Sequence, residues 1–316
     1  MTHFKLAHLP TPLERVDRLG RALGLDQGRL WIKRDDCTGL ATGGNKARKL
    51  ELLVADAQAQ GSDVLITAGG PQSNHARTTA AAAARVGLGC VLAFNSDPPE
   101  RTEGNQLLDT VLGAERRFLG RIPMDDLNEA VEVIAGELRG AGRKPYVIPV
   151  GGSSPLGASA YVAAADEIAA DIGHDDFMVV TATGSGGTHS GLAARLGHER
   201  VMGVDVGAIA DPVSTVRRLT GDVAALVGLP APDGDPWIVR DQIGDGYGAP
   251  TAACRQAIRL AARSEGLLLD PVYSGKAFAG LMSLLISGVS ARSIVFLATG
   301  GAPALFVARY ESWLAE

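Results

Sequence analysis

Cysteine is scarce in this chain. Cys37, Cys90 and Cys254 are widely spaced, odd in number and form no CxxC pair, which argues against both a disulfide framework and a structural zinc site. A reducing compartment and no bound metal are expected. Long hydrophobic runs are missing as well: the segment Met1 to Pro10 is not extensively apolar, and no stretch reaches the about 18 consecutive apolar residues that suggest a membrane span. The expectation is a cytoplasmic protein with no membrane partner. Nor is there a basic block, since 30 Lys and Arg are interspersed with 35 Asp and Glu for a net charge of -5. Such a surface gives no reason to expect a nucleic-acid partner, and small-molecule chemistry is the better expectation. Internal repeats at a fixed period and low-complexity tracts are absent too.

An apolar share of 46% over 316 residues is enough for two compact lobes. Glycines punctuate an alternation of apolar runs and Ala-rich stretches, the pattern of βα units around mainly parallel sheets. A helix is expected from about Lys46 to Gln60, closed by Gly61. Strands are expected at Val64–Ala68, Cys90–Phe94, Tyr146–Val150, Met178–Ala182, Val201–Asp205 and Ile294–Ala298, with an Ala-rich helix ending near Ala84. The polar segment Asn95–Asn105, with its two prolines, reads as an exposed loop. Because the suggestive turns fall near the beginning, middle and end, a cleft between two lobes is expected, with the chain crossing between them twice.

Six segments could carry chemistry. In Gly43-Gly44-Asn45-Lys46-Ala47-Arg48-Lys49-Leu50 a lysine follows a flexible turn at the start of a helix. It is either a surface lysine or an amine whose surroundings favour the neutral, nucleophilic form. The turn from Thr181 to Gly191, with Gly184, Ser185, Gly186, Gly187 and Thr188 at its centre, has the make-up of an anion cradle: glycines let N–H groups converge, hydroxyls add donors, and a helix amino terminus follows. It lacks the lysine of a nucleotide-triphosphate loop, and His189 stands where a dinucleotide fingerprint needs its third glycine. The alternative is a tight turn that binds nothing. Gln72-Ser73-Asn74-His75 combines helix-capping residues with a position beyond a strand end, where ligand clefts lie in open α/β sheets. His75 alone reads equally as a core histidine. Asp270-Pro271-Val272-Tyr273-Ser274 and Ala298-Thr299-Gly300-Gly301 set hydroxyls at turns before helical stretches, and Gly244 to Gly248 carries Tyr247 on a flexible backbone. Taken singly, Tyr273 could be a core aromatic and Thr299 a cap.

Together these segments resemble the fold-type II pyridoxal-phosphate enzymes, in the branch that holds 1-aminocyclopropane-1-carboxylate deaminase, D-cysteine desulfhydrase and L-cysteate sulfo-lyase. The resemblance runs from Leu9-Pro10-Thr11-Pro12-Leu13 to Gly300-Gly301-Ala302-Pro303-Ala304-Leu305 and includes Ile32-Lys33-Arg34-Asp35-Asp36-Cys37-Thr38-Gly39. It implies a two-lobed α/β fold like that of the tryptophan synthase β chain, with a large cofactor-binding domain from residues 1–48 and 156–316 and a small domain from 49–155. It further implies that Lys46 condenses with pyridoxal 5'-phosphate, that the loop from Gly184 to Thr188 holds the phosphate, that Asn74 meets the ring oxygen and that Thr299 approaches the ring nitrogen. Ser73, Asn74, His75 and Ser274 would face the substrate. Lys46, Ser73, Tyr247 and Tyr273 would take part in catalysis. Lys33 to Asp36 read as a structural charge network, and a homodimer is plausible for the family.

The resemblance also bears on the substrate. Ring-opening members carry Glu after the Tyr of the Val-Tyr segment and Leu before the late Gly-Gly, where this chain has Ser274 and Thr299. A neutral hydroxyl at the ring nitrogen stabilises negative charge less than a full pyridinium would, which favours prompt loss of a β substituent. The expectation is therefore β-elimination from a small amino acid such as D-cysteine or L-cysteate, giving pyruvate, ammonia and sulfide or sulfite. The alternatives are a ring-opening deaminase and a non-catalytic cofactor-binding protein. Departures from the family wording fall at Pro71, at Thr78 and at Ser154, the last within Gly151-Gly152-Ser153-Ser154.

Overall fold

Apolar runs bounded by glycine become strands, and the Ala-rich stretches between them become helices. The computed structural model describes residues 2–315. In chain order the elements are β1 (Leu13–Arg15), α1 (Asp17–Ala22), β2 (Leu30–Lys33), α2 (Lys46–Ala59), β3 (Val64–Gly69), α3 (Asn74–Val86), β4 (Gly89–Phe94), α4 (Asn105–Val111), β5 (Glu115–Phe118), α5 (Leu127–Gly140), β6 (Pro145–Val147), α6 (Pro155–Ile172), β7 (Phe177–Thr183), α7 (Gly187–Leu196), β8 (Val201–Asp205), α8 (Pro212–Val227), β9 (Trp237–Val239), α9 (Ala252–Glu265), α10 (Ser274–Ser287), β10 (Ser293–Leu297) and α11 (Ala308–Ala315).

The strands form two sheets. One has six strands in the order β1-β2-β10-β7-β8-β9, and the other has four in the order β5-β4-β3-β6. All pairings are parallel except β1 with β2. Parallel strands joined by helices are covered on both faces, so their residues are apolar almost without interruption. The two-residue strand period then divides each sheet's core in two. In the larger sheet Ile32, Val180, Val204 and Phe296 face α9 and α10, while Val179, Val201, Val295 and Leu297 face α6 and α7. In the smaller, Leu65, Leu92 and Phe94 pack on α2 and α3, and Val64, Ile66 and Val91 pack on α5. Among the described residues no helix is long and apolar enough to cross a membrane.

Most expected elements stand within a residue or two of their expected bounds. The strand expected at Tyr146–Val150 is shorter, because the backbone leaves the ladder after Val147 and turns through Gly151 at a φ of 72°. Strands β1, β2, β5 and β9 were not anticipated. Three of them are sheet edges of three or four residues, and β5 reads Glu-Arg-Arg-Phe. Edge strands of this kind owe their conformation to the neighbour they pair with more than to their own pattern.

Helices α6 and α7 approach so closely that Gly191 has no room for a side chain. A Cβ there would run into the Ala158 carbonyl oxygen and Tyr161 Cβ. Gly191→Ala is expected to destabilise the protein by roughly 1–3 kcal/mol, read as a lower denaturant midpoint. An unchanged midpoint would mean that the two helices can separate freely.

Candidate functional site

Loops at the carboxyl ends of strands from both sheets converge on one cleft of about 420 Å³, the place where open α/β sheets collect ligands. Gly70, Asn74 and His75 reach it from β3, Gly151 and Ser153 from β6, the Gly184–Thr188 loop from β7, Ala208 to Asp211 from β8, and Thr299 from β10. Lys46 opens α2 directly onto it, and Tyr247 and Tyr273 line the same space.

Lys46 is held from several sides. The Asn45 side chain donates to Thr188 Oγ1 at 2.9 Å, and its N–H bonds the Thr299 carbonyl at 3.0 Å. Burial lowers the Lys46 pKa to about 8; Asp270 pulls it back up and Arg77 pushes it further down. Three residues on, Lys49 shares that helix face. Its ammonium donates to the Gly151 carbonyl at 3.1 Å, and burial together with the Lys46 charge lowers its pKa well below that of a free lysine.

The glycine loop faces these amines. Gly186 caps α7 at a φ of 85°, Ser185 Oγ lies 2.8 Å from Ser153 Oγ, and the Gly187 N–H donates to Ser153 Oγ at 3.2 Å. A Cβ on Gly187 would sit 2.6 Å from Lys49 Nζ, so a side chain would fill the cradle. Hydroxyls, a helix amino terminus and two buried amines form a donor set suited to a phosphate. These residues fit pyridoxal 5'-phosphate: an anion cradle stands beside a lysine whose pKa is near neutral.

On the other side of the cleft the Tyr247 and Tyr273 rings meet edge to face at 5.9 Å, with their hydroxyls hydrogen-bonded to each other. Burial raises both pKa values, so both are neutral phenols near pH 7. Asp270 fixes the Tyr273 turn, its carboxylate accepting from the N–H groups of Val272, Tyr273 and Ser274 and from the Ser274 hydroxyl.

Of the residues singled out from sequence, Lys46, Asn74, His75, the loop from Gly184 to Thr188, Tyr247, Tyr273 and Thr299 are brought together in the cleft. Two are not. The Ser274 hydroxyl is engaged by Asp270 away from the cleft wall, and Ser73 is buried beside the cleft, its Oγ accepting from Ala76 N at 3.1 Å as the cap of α3. His75 Nε2 lies 2.9 Å from Thr67 Oγ1, whose single proton goes to the Ile148 carbonyl. The imidazole must therefore carry its proton on Nε2, leaving Nδ1 as an acceptor, and burial pushes its pKa well below the usual value. Lys33 to Asp36 do form a charge network: Lys33 pairs with Glu167, Arg34 with Glu14 and Asp36, and Asp35 with Arg48. Asn45, Lys49, Ser153 and Asp270 were given no site role from sequence. Lys49 was detectable from its i+3 spacing to Lys46, whereas Ser153 and Asn45 depend on contacts between distant segments.

Residues 4–300 match the profile of the family described as "Pyridoxal-phosphate dependent enzyme". D-cysteine desulfhydrase of Salmonella schwarzengrund is 43% identical over 322 aligned positions, covering 96% of this chain and 94% of that protein. A crystal structure of an ACC deaminase homologue superposes with a TM-score of 0.90 at 39% identity, covering 99% of this chain and 95% of that one. A pyridoxal 5'-phosphate-dependent aspartate racemase, 17% identical with a TM-score of 0.67 over 92% of this chain and 90% of that one, shares the fold.

The pKa of Lys46 makes a direct prediction. A protonated amine does not react with an aldehyde, so reductive methylation of the cofactor-free protein should switch on at Lys46 as pH rises through about 8. Ordinary lysines should follow only near about 10.4. Peptide mapping across pH reads the midpoint, and a Lys46 midpoint above 10 would contradict the assignment.

Proposed function

The chain belongs to the pyridoxal-phosphate-dependent enzymes, and on that premise we propose that it is a carbon–sulfur lyase that converts D-cysteine and water to pyruvate, ammonia and hydrogen sulfide. The observation that carries the reading is the pairing, in one cleft, of an amine with a pKa near neutrality and two hydrogen-bonded neutral phenols. The 43% identity to a D-cysteine desulfhydrase over nearly the full length of both chains supports the choice of substrate. Ser274 and Thr299 stand where the ring-opening branch carries Glu and Leu, which favours a thiol leaving group over a cyclopropane.

When bound, pyridoxal 5'-phosphate supplies the electron sink for the pair left at Cα by loss of its proton. Lys46 would hold it covalently, and its amine is placed to take the Cα proton. Gly184 to Thr188, with Ser153 and Lys49, would hold the phosphate, Asn74 would meet the ring oxygen, and Thr299 would offer a neutral hydroxyl to the ring nitrogen. Asn74 and His75 bind the substrate, with Ser73 and Ser274 supporting from behind the cleft wall. As neutral phenols, Tyr273 and Tyr247 can donate a proton to the departing sulfur. The large domain comprises residues 1–48 and 156–316 and the small domain 49–155, and the protein works as a cytoplasmic homodimer.

A second reading, ring opening of 1-aminocyclopropane-1-carboxylate, is favoured by the 39% identity to the ACC deaminase homologue. Incubation with D-cysteine, L-cysteine, L-cysteate, D-serine and 1-aminocyclopropane-1-carboxylate separates the readings. Sulfide and pyruvate from D-cysteine are expected, and sulfite from L-cysteate would reassign the leaving group. Consumption of the cyclopropane alone would establish the second reading, and retained cofactor with no turnover would indicate a binding protein. Borohydride reduction of the holoprotein should label Lys46, and Lys46→Ala should abolish both labelling and sulfide release. Tyr273→Phe is expected to lower kcat by about 10²–10⁴-fold, the usual contribution of a general acid or base.

A further inference from the structure

Arg77 is the largest of the fully buried side chains. It lies on α3, one turn beyond Ser73, and its Nη1, with two N–H bonds to share, lies within hydrogen-bond reach of three acceptors, the Ala41 carbonyl, Thr42 Oγ1 at 2.8 Å and the Gly43 carbonyl at 3.1 Å. That loop leads directly into Lys46. It turns through left-handed backbone at two residues that carry a Cβ, Ala41 with a φ of 42° and Thr42 with a φ of 73°, conformations that persist only where the surroundings hold them.

The rest of the guanidinium points to a second element. Nε and Nη2 of Arg77 are buried with no hydrogen-bond partner among the described residues, and so are both carboxylate oxygens of Asp109 on α4. Their opposite charges act on each other across the interior: Arg77 favours the ionised form of Asp109, and Asp109 the charged form of Arg77. Helix α4 also reaches the neighbouring turn, where the Asn105 side chain donates to the Gln72 carbonyl at 2.9 Å and to Asn74 Oδ1 at 2.8 Å. One short helix thus bonds the turn that bears Asn74 and acts through its charge on the cation that grips the loop before Lys46.

Resting on the reading of Lys46 as the cofactor lysine, we propose that Arg77, countered by Asp109, is a positioning residue that clamps the left-handed Ala41–Gly43 loop and so presents the Lys46 amine to the cleft in one orientation. Two effects are separable. The three-acceptor grip is geometric, and the charge is electrostatic. Besides Arg77, the Lys46 amine faces Asp270, Lys49 and the neutral His75, whereas Asp109 faces Arg77, Arg116 and Cys90.

Four variants test the proposal by kcat and KM of the holoenzyme, by the pH midpoint of Lys46 methylation in the cofactor-free protein, and by melting temperature. Arg77→Lys keeps the charge but replaces the rigid planar guanidinium with a flexible ammonium; kcat should fall on the order of 10²-fold, the cost of misplacing a reacting group by about 1 Å, with KM and the methylation midpoint little changed. Arg77→Met removes the charge and should raise that midpoint. Asp109→Asn leaves the buried guanidinium without its counter-charge and should lower kcat, with the Lys46 midpoint, which answers to Asp270 and Arg77, little changed. Thr42→Ala, at an exposed position, removes one acceptor and should lower kcat without changing the melting temperature. Wild-type kcat in both Arg77→Lys and Thr42→Ala would overturn the clamp, as would losses of activity that only track lost cofactor or melted protein. If Arg77→Met does not fold, Thr42→Ala and Asp109→Asn still decide. Because kcat is read on whichever amino acid the wild-type holoenzyme turns over, an error in the substrate reading cannot pass for failure of the clamp.

Discussion

Arg48 carries a full positive charge into the interior, with only 2% of its side chain exposed, and two carboxylates meet it there. Asp35 accepts from Nε and Nη2 at 2.9 to 3.0 Å, and Glu167 accepts from Nη1 and Nη2 at 2.8 Å. Thr11 and Tyr161 hydroxyls donate to the remaining capacity of Asp35, and Lys33 balances Glu167. Such a cluster adds little net stability, because desolvation offsets attraction, but removing one member leaves a buried charge uncompensated at about 3–5 kcal/mol. Its consequence is directional. A planar guanidinium held at both edges fixes the rotation of α2 about its own axis. With about 100° between successive residues, anchoring Arg48 inward turns Lys46 about 160° away and Lys49 about 100° away, both towards the cleft.

The same cluster joins distant parts of the chain. Thr11 and Asp35 precede α2, while Tyr161 and Glu167 come from α6, which packs on the larger sheet. Since α2 itself packs on the smaller sheet through Leu50, Leu53 and Val54, it belongs to both halves of the core. The cleft lies where those halves meet. A tyrosine pair on one wall and a glycine cradle on another then address an amine whose direction was settled by charges on the far side of its helix.

Much of this was legible beforehand because the segments concerned are locally determined. Fully buried parallel strands such as β7, β8 and β10 announce themselves as unbroken apolar runs, and Gly61, Gly87 and Gly266 end helices through positive φ values that side chains resist. The anion cradle was readable for the same reason, since a phosphate loop is built mostly from consecutive backbone groups. Edge strands were not, because β1, β5 and β9 take their conformation from a neighbour. Ser73 and Ser274 mark another limit. Both stand beside cleft residues in sequence, yet a helix amino terminus takes up the first hydroxyl and a buried carboxylate the second.

By itself the sequence determined the alternation of strand and helix, the site of the glycine cradle, the lysine at the head of α2 and the family to which those motifs point, because each is encoded in neighbouring residues and in their period. Tertiary structure alone decided how basic that lysine is, which tautomer His75 adopts, that Tyr247 and Tyr273 share a hydrogen bond, and that Asp270 turns Ser274 away from the cleft. Those properties are sums over groups far apart in the chain. Burial, Coulomb attraction and hydrogen-bond partnership depend on distance through space, which no local pattern of residues records.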